Sequence, residues 1–224
     1  MEKYSLIIFD CDGVLVDSEY LSARVLVETF AAIGVAIDLA FVFDNFLGHS
    51  FSEAAAQYAK LHGKSVPETF EADYRARLLD KFSTDLRPMP FIGNVLDELS
   101  VPCCLATGSS PVRVTKSLEI TGLAARFTDR VFATSMVARG KPAPDLFLHT
   151  AKAMGVAPAQ CLVVEDSTTG IVAAHAAGMT VWQFTGGSHF QHGYNHTGSS
   201  HLVDRTFDRM DRFFDGAPDL RRRP

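Results

Sequence analysis

The sequence lacks any apolar run that approaches the roughly 20 residues needed to cross a bilayer. Its N-terminus also lacks the basic stretch, apolar stretch and cleavage site of a secretory signal. With 224 residues and 47% hydrophobic side chains, the chain is nevertheless long and apolar enough to bury a sizeable core. We therefore expect a cytoplasmic protein without a membrane partner.

An excess of basic residues is missing as well. The sequence has 21 Lys and Arg against 26 Asp and Glu, a formal net charge of −5. Nucleic-acid-binding surfaces need clustered basic side chains, so no nucleic-acid partner is expected. The four cysteines, Cys11, Cys103, Cys104 and Cys161, show no CxxC spacing and lie in or beside apolar runs. This pattern favours buried free thiols over disulfides.

Two acidic residues stand where the first apolar run, LIIF over residues 6–9, ends. Side chains alternate between the faces of a strand, so Asp10 and Asp12 leave the strand on the same side, while Gly13 lets the backbone turn away. A core excludes such a pair unless a cation or a proton is shared between the carboxylates. Magnesium, which prefers carboxylate oxygens and retained waters, fits best.

Short apolar segments alternate with helical segments after residue 86, a pattern typical of a parallel sheet flanked by helices. The expected strands are 4–9, 101–106, 131–133, 161–164 and 180–184. The predicted fold class is α/β, with a Rossmann-like doubly wound parallel sheet core and an inserted small all-helical cap domain. We expect residues 1–16 and 86–224 to form the core and residues 17–85 to form the cap.

The segment after the first strand is expected to contain only helices. These are predicted over residues 18–33, 38–46, 51–62 and 67–83. The last two follow S-x-x-E capping boxes that begin at Ser50 and Ser65, and Pro67 suits a first helical turn. An insertion at this point lies over the carboxyl ends of the strands, where open α/β sheets place their ligands. The segment is therefore positioned to act as a lid.

A Thr-Gly-Ser-Ser-Pro sequence follows the next apolar strand and opens a helix at Pro111. The amide groups at a helix start attract anions. We expect Thr107 to donate its hydroxyl to a phosphate oxygen, with the amide of Gly108 close by and Ser109 beside them. The alternative is an ordinary strand-to-helix turn capped by Ser110.

Two further sites carry a lysine and a second acidic pair. Lys141 lies in a loop stiffened by two prolines, and a fixed ammonium can neutralise both a carboxylate nucleophile and a phosphate. An isolated surface lysine is the alternative. The apolar strand 161–164 ends in Glu165 and Asp166, which suit magnesium or could cap the following helix. Two acidic pairs in one sheet favour the metal site.

These residues resemble the four motifs of the haloacid dehalogenase-like (HAD) superfamily. In order, the motifs are carried here by Asp10 with Asp12, by Thr107, by Lys141, and by Glu165 with Asp166. The resemblance covers residues 6–178 and extends to the sugar-phosphatase and β-phosphoglucomutase-like branch, which has a small helical cap after the first motif. Each motif alone is weak, whereas four in this order and strand context are highly specific.

The resemblance implies a hydrolase that acts on a small phosphorylated metabolite. Asp10 would attack phosphorus to form an aspartyl-phosphate, and Asp12 would protonate the leaving alcohol and later deprotonate water. Thr107 and Lys141 would clamp the transferring phosphoryl group. The implied substrate is a sugar phosphate or a phosphorylated sugar acid.

Magnesium is the implied cofactor. It would be held by Asp10, by the backbone carbonyl of Asp12 and by Asp166, with Glu165 either a ligand or an organiser of bound water. Asp12 must be protonated in the first step. Crowding by Asp10 would favour that proton, whereas nearby magnesium would oppose it.

Departures from the family pattern rank the possible reactions. Gly108 stands where relatives commonly have Asn, which removes one side-chain hydrogen bond. β-Phosphoglucomutases carry a histidine in the first cap helix, where this chain has Leu21 and Ser22. A mutase must protect its aspartyl-phosphate from water, so hydrolase ranks ahead of phosphomutase. Dehalogenases do not need the second acid that Asp12 supplies, and a catalytically silent phosphometabolite-binding protein is a further alternative.

Two segments outside the four motifs carry polar residues. His49 and Ser50 are available to sugar hydroxyls, although a simple interhelical turn explains them equally well. Residues 186–200 are rich in Gly, Ser, His and Asn and are expected to form a mobile loop. Its histidines, together with His201, lack the compact spacing of a zinc site. The sequence leaves the oligomeric state open.

Overall fold

The computed structural model describes residues 4–47, 51–63, 65–195 and 199–222. Within these ranges the strands are β1 (Leu6–Phe9), β2 (Cys103–Thr107), β3 (Val131–Ala133), β4 (Cys161–Glu165), β5 (Thr180–Phe184) and β6 (Arg205–Phe207). They form one parallel sheet in the order β3-β2-β1-β4-β5-β6. The predicted Rossmann-like, doubly wound parallel sheet is confirmed.

The central strand β1 and its two neighbours end at a common edge of the sheet. Every residue of β1 is buried, because β2 and β4 flank it and helices cover both faces. Phe9 pairs with Leu105 on one side and with Val164 on the other. The amide of Asp10 then donates to the carbonyl of Val164 at 2.9 Å, which ends the ladder. The residues that follow these three strands therefore emerge at one edge of the sheet.

The edge strand β6 is the strand that the sequence pattern did not indicate. It has three residues, of which Thr206 is exposed and Phe207 is buried. Its pairing with β5 sets Thr206 opposite Gln183 and Phe207 opposite Phe184. So short a segment has no recognisable period of its own, and its extended conformation depends on the neighbouring strand.

The helices flank the sheet and fill the segment between β1 and β2. That segment contains α1 (Glu19–Ala32), α2 (Leu39–Asn45), α3 (Phe51–His62), α4 (Phe70–Asp85) and α5 (Ile92–Glu98). After β2 come α6 (Pro111–Ile120), α7 (Asp145–Ala153), α8 (Thr168–Ala176) and α9 (Ser188–Gln191). Short 3-10 segments are Ala124–Arg126, Thr134–Met136, Pro158–Gln160, Ser200–Leu202, Met210–Asp215 and Pro218–Leu220. Across the described ranges, no helix combines the length and the apolar character needed to span a membrane.

Local signals explain most helix starts, with one correction. Asp38 caps α2 by accepting from the amide of Phe41 at 2.8 Å. The capping box predicted at Ser65 is wrong, because α4 begins at Phe70 rather than near Pro67. The amide of Phe70 donates to the carbonyl of Pro67 at 3.0 Å, so a turn precedes the helix. The other predicted box begins at Ser50, which lies outside the described residues.

Helices α1 to α4, joined by Tyr194 after α9, share an aromatic cluster that is distinct from the two clusters on the faces of the sheet. Phe30 is at its centre, with ring centroids 5.8 Å from Phe46, 4.9 Å from Tyr58 and 4.5 Å from Phe70. Aromatic side chains of this size bury a large area and pack best in offset or tilted pairs. The four helices therefore pack around a common aromatic cluster, while the cap boundaries 17–85 stay a prediction.

The segment after β5 differs from the mobile loop expected over residues 186–200. Residues Ser188–Gln191 form the short helix α9, and His189 within it is fully buried. Ser188 donates both its amide, at 2.9 Å, and its hydroxyl, at 2.8 Å, to Oδ1 of Asp17. These bonds tie α9 to the loop after β1. The expectation of an irregular loop is wrong for this part of the segment.

Replacing Phe30 with Ala is expected to lower the free energy of unfolding by about 3–5 kcal/mol, because the change leaves a cavity among three other aromatic rings. Urea unfolding, monitored by circular dichroism, measures this loss of stability. The matched control is Leu148→Ala at a 41% exposed position on α7, with an expected change within about 0.5 kcal/mol. Equal losses in the two variants would contradict this picture of the cluster.

Candidate active site

The carboxyl ends of β1, β2 and β4 open into a cavity of about 1040 Å³. Helices α1 to α4 supply the wall that faces these strand ends. Ligand sites of open α/β sheets lie at this edge. The sequence-predicted residues that line the cavity are Asp10, Asp12, Thr107, Gly108, Ser109, Lys141, Glu165 and Asp166.

The ammonium of Lys141 lies between two carboxylates. Its Nζ donates to Oδ1 of Asp10 and to Oε1 of Glu165, both at 2.5 Å, and to the carbonyl of Ala106 at 3.2 Å. The side chain is only 7% exposed, so its position is fixed rather than free. Burial alone would lower the pKa of Lys141, but Asp10 and Glu165 outweigh it and raise that pKa above the ordinary value. Lys141 is therefore a permanent cation.

Glu165 uses both of its oxygens within the protein. Oε1 accepts from Lys141, while Oε2 accepts from the amides of Asp166 at 2.9 Å and Ser167 at 2.8 Å and from the hydroxyl of Ser167 at 3.0 Å. Gly170 makes room for this carboxylate, because a Cβ there would overlap it. The contacts fit an organiser that holds Lys141 and the start of α8.

Three buried carboxylates are close enough to share a cation. Oxygens of Asp10, Glu165 and Asp166 all lie within 4.8 Å of one another. Burial raises the pKa of Asp10 well above its usual range despite Lys141, and burial together with Glu165 does the same to the pKa of Asp166. Three carboxylates face one ammonium, so a divalent cation would relieve their repulsion, and carboxylate oxygens are the ligands that magnesium prefers. The residues present fit a magnesium ion.

Asp12 belongs to a different set of contacts. Its Oδ1 accepts from the hydroxyl of Ser18 and from Nη2 of Arg113, and its Oδ2 accepts from the hydroxyl of Ser109, each at 2.6 Å. Its side chain lies outside the group of three carboxylates. The loop after β1 thus sends one carboxylate to Lys141 and the other to Arg113.

These contacts correct the expectation that crowding by Asp10 favours a proton on Asp12. Burial pushes the pKa of Asp12 upward, but Arg113 and the hydroxyls of Ser109 and Ser18 outweigh it and lower the pKa below the ordinary value. A carboxylate that accepts three donors, one of them a guanidinium, is stabilised as an anion. In this arrangement Asp12 is therefore ionised.

The sequence interpretation missed Arg113, Ser22 and Glu19, which line the cavity beside Asp12. Nη2 of Arg113 also donates to the hydroxyl of Ser22 at 3.0 Å, which links α6 to α1. Glu19 begins α1, and burial followed by repulsion from Asp12 raises its pKa to about 8. One available signal was the position of Arg113 in the first turn of a helix that starts at a suspected phosphate site. Nothing in the sequence indicated that Arg113 contacts Asp12, which is 101 residues away along the chain.

The turn after β2 is ordered by hydrogen bonds of its own. Oγ1 of the buried Thr107 accepts from the amide of Ser109 at 3.0 Å. Ser110 is the N-cap of α6, as the alternative interpretation expected, and its hydroxyl also accepts from Arg75 of α4 at 3.2 Å. A Cβ on Gly108 would meet no atom within 4 Å, so packing does not require glycine there.

The loop between α2 and α3 contributes apolar side chains to the opposite wall of the cavity. Phe46, Leu47 and Phe51 line it. The sequence-predicted substrate contacts His49 and Ser50 fall between them and lie outside the described residues. Phe46 of this loop and Phe51 at the start of α3 therefore give this wall of the cavity its aromatic side chains.

His189 of α9 lies at the base of the acidic group. Its Nε2 is 3.1 Å from Oδ2 of Asp166, and burial lowers the pKa of the imidazole to about 4, so the ring is neutral near pH 7. Over the described ranges, the acidic group of three is the one cluster of His, Cys, Asp or Glu able to hold a metal. The zinc alternative through His189, His192 and His201 thus has no support there, and His196 lies outside those ranges.

A protein-family model described as haloacid dehalogenase-like hydrolase matches residues 4–178, most of the chain. The chain belongs to this family. The resemblance inferred from the four motifs is thereby confirmed, and with it the assignment of a hydrolase. The haloacid dehalogenase-like match begins just before β1 and ends after α8, so it contains all four motifs.

Relatives of this hydrolase are named phosphatases. The 6-phosphogluconate phosphatase of Escherichia coli (strain K12) is 32% identical over 191 residues, covering 84% of this chain and 86% of that protein. Fructose-1-phosphate phosphatase YqaB of the same strain is 33% identical over 183 residues, covering 80% of this chain and 95% of that protein. A conserved haloacid dehalogenase-like protein of unknown function, ATU0790 from Agrobacterium tumefaciens, has a similar solved structure, with a TM-score of 0.82, 30% identity and coverage of 97% and 99%.

Replacing Glu19 with Gln is expected to stabilise the hydrolase progressively, relative to the wild type, as pH rises. The pKa of Glu19 is about 8 in the folded protein and about 4.3 in an unfolded chain, so the folded state binds more protons between these values. The wild type therefore loses stability through this group between about pH 4 and pH 8, and glutamine does not. Urea unfolding at pH 5.5 and pH 8.5 measures the difference.

The matched control for this pH experiment is Glu28→Gln, a 59% exposed position on the same helix. The difference in free energy of unfolding between this control and the wild type is expected to stay constant between the two pH values. A constant difference for Glu19→Gln as well would contradict a half-buried Glu19 with a raised pKa.

Proposed function

We propose that the protein is a magnesium-dependent phosphatase that hydrolyses a small phosphomonoester through an aspartyl-phosphate intermediate. The observation that carries the proposal is the position of Asp10 at the end of β1. Its carboxylate is held by Lys141 at 2.5 Å, lies beside Glu165 and Asp166, and opens into the cavity that Asp12 also lines. A carboxylate nucleophile divides one difficult displacement into two easier ones.

In the first proposed step an oxygen of Asp10 forms a bond to phosphorus while the bond from phosphorus to the alcohol oxygen breaks. Asp12 gives that oxygen a proton, so the alcohol leaves neutral. In the second step Asp12 takes a proton from water, the water oxygen attacks phosphorus, and the aspartyl bond to phosphorus breaks. Inorganic phosphate leaves, and both carboxyl groups return to their starting states.

The anionic form of Asp12 suits the second of these steps. Contacts from Ser18, Ser109 and Arg113 stabilise the carboxylate that must take the proton from water. Before the first step Asp12 must gain a proton. A substrate that draws Arg113 toward its own negative charge would weaken the contact that opposes this proton.

Positioning and electrostatics account for the remaining catalytic contributions. We assign to Thr107, Lys141 and the amide of Gly108 the contacts to the transferring phosphoryl oxygens, since the amide of Ser109 already donates to Thr107. Lys141 is already between two carboxylates, so it offsets the charge of the nucleophile as well as that of the phosphoryl group.

Asp10, Asp166 and the backbone carbonyl of Asp12 are the groups that we propose as holders of magnesium. Glu165 acts in this proposal mainly as an organiser, since its oxygens already accept from Lys141 and from two backbone amides. When bound, magnesium supplies positive charge that stabilises the developing negative charge on the phosphoryl oxygens.

The substrate that we propose is a sugar phosphate or a phosphorylated sugar acid. The cavity is larger than a phosphate group needs, and its wall has polar groups at Glu19, Ser22, Arg75 and Arg113. Hydroxyl and carboxylate groups of a substrate require such partners. The names of the two Escherichia coli relatives, 6-phosphogluconate phosphatase and fructose-1-phosphate phosphatase, support the same class.

Residues 17–85 form the substrate lid in this proposal. Their described helices build the wall that faces the strand ends, and Arg75 of α4 donates across the cavity mouth to Ser110. His49 and Ser50 remain proposed contacts to the sugar portion, because Leu47 and Phe51, the described residues that precede and follow them, line the cavity.

The test measures phosphate release from 6-phosphogluconate, fructose 1-phosphate, glucose 1-phosphate and p-nitrophenyl phosphate, with magnesium and with EDTA. Wild type is expected to hydrolyse at least one of them with magnesium and to lose the activity in EDTA. Asp10→Asn is expected to lower kcat by a factor on the order of 10³ or more, because it removes the nucleophile. The matched control is Asp129→Asn at an exposed turn, with kcat unchanged.

Two outcomes would contradict the phosphatase proposal. Wild type that releases no phosphate from any ester in the presence of magnesium would favour a silent phosphometabolite-binding protein. Glucose 1-phosphate that is isomerised faster than phosphate appears would favour a phosphomutase.

A further inference from the structure

We propose that His189 is a positioning residue that orients the carboxylate of Asp166 toward a bound magnesium ion. The inference rests on the metal site of the proposed function and adds to it a residue from a segment outside the four motifs. Its starting observation is the 3.1 Å distance between Nε2 of His189 and Oδ2 of Asp166.

The imidazole has no other polar role among the described residues. His189 is fully buried, and within those ranges neither ring nitrogen has a partner at hydrogen-bonding geometry, although Nε2 lies 3.1 Å from Oδ2 of Asp166. A buried polar group without a partner destabilises a fold, so such a group calls for an explanation. Oδ2 of Asp166 supplies one, because it lies within reach of Nε2, and a small rotation of either side chain aligns an N–H on Nε2 with that oxygen.

Two glycines make room for the ring and for the carboxylate that it meets. Gly13 has φ of +78°, and a Cβ at this position would overlap the carboxylate of Asp166 and lie 3.1 Å from Cε1 of His189. A Cβ on Gly187 would lie 2.5 Å from Cε1 and 2.7 Å from Nδ1 of the same ring. The loop after β1 and the loop before α9 thus both approach His189 closely, on the side of the acidic group.

The ring is also fixed from its other sides. Its centroid lies 4.3 Å from that of Phe190 and 5.1 Å from that of Tyr194. The preceding Ser188 donates twice to Asp17, so α9 is tied to the loop that carries the nucleophile. A donor held this rigidly restricts rotation of the Asp166 carboxylate, which lowers the entropy that is lost when the carboxylate binds a cation.

Residues that orient a metal ligand by hydrogen bonding commonly change metal affinity by about 10-fold to 100-fold when they are replaced. Loss of the His189 donor is therefore expected to raise the dissociation constant for magnesium by about 10-fold to 100-fold. The expected effect on the affinity for substrate is smaller, because His189 does not line the cavity.

The test titrates the metal-free full-length protein with magnesium chloride by isothermal titration calorimetry, without substrate. His189→Gln and His189→Met are a matched pair, since the side chains are similar in length but only glutamine keeps an N–H donor. His189→Met is expected to bind magnesium about 10-fold to 100-fold more weakly than wild type, and His189→Gln is expected to recover part of that loss. Unfolding by urea in EDTA reports the stability of each variant without metal.

The control is His192→Gln, on the exposed residue directly after α9, whose ring stacks on Tyr20 at 3.7 Å between centroids. Its magnesium affinity is expected to equal that of wild type. Because His192 is three residues from His189, this control reports any general disturbance of the segment.

Equal magnesium affinity of wild type and folded His189→Met would overturn the role of His189, and so would equal weakening in the Gln and Met variants. If wild type releases phosphate with magnesium while either result holds, the proposed function stands and only the role of His189 falls. Wild type that binds no magnesium and releases no phosphate would instead overturn the proposed function and this inference with it.

Discussion

The ion pairs of Lys141 with Asp10 and Glu165 are the interaction on which the rest of the site depends. Carboxylates at the end of a buried parallel strand are unfavourable unless cations and hydrogen bonds stabilise them. Lys141 contributes one charge to two of them, and the amides at the start of α8 contribute hydrogen bonds to Glu165. Small residues at Gly13 and Gly170 then follow from the same requirement, because a side chain at either position would overlap a carboxylate.

The fold was predictable wherever burial on both faces of the sheet made a strand continuously apolar. The segments LIIF and CLVV are examples, and the structure places both at the centre of the sheet as β1 and β4. The edge strand β6 could not be found in this way, because its three residues become extended only by pairing with β5. The start of α4 was misplaced for a related reason, since a capping box at Ser65 cannot show that a turn at Pro67 delays the helix to Phe70.

The residues of the candidate site also fall into those that could be predicted from the sequence and those that depend on tertiary contacts. Acids that follow a strand, such as Asp10 and Asp166, could be assigned to one sheet edge from sequence because parallel strands end together. Arg113 could not, because its contact with Asp12 depends on how α6 packs against the loop after β1. His189 was placed in an irregular loop, since a Gly and Ser-rich composition does not reveal that the ring is buried against Asp166. Composition describes the backbone preference of a segment, whereas tertiary contacts decide its role.

Asp10 and Asp12 are two residues apart, yet the structure gives them opposite electrostatic environments. Burial and the neighbouring carboxylates raise the pKa of Asp10 although Lys141 opposes the rise, whereas Arg113 and two hydroxyls outweigh burial and lower the pKa of Asp12. Two carboxyl groups can have different chemical tasks only if their surroundings separate their affinities for protons. The separation does not come from the two-residue spacing, which only directs both side chains to one edge of the sheet. On the side of Asp10 it comes from burial beside Glu165 and Asp166, which Lys141 only partly offsets, and on the side of Asp12 it comes from Arg113 of α6 together with two hydroxyls. A change that exchanged or removed either cation would therefore alter the division of labour between the two aspartates while leaving the motif itself intact.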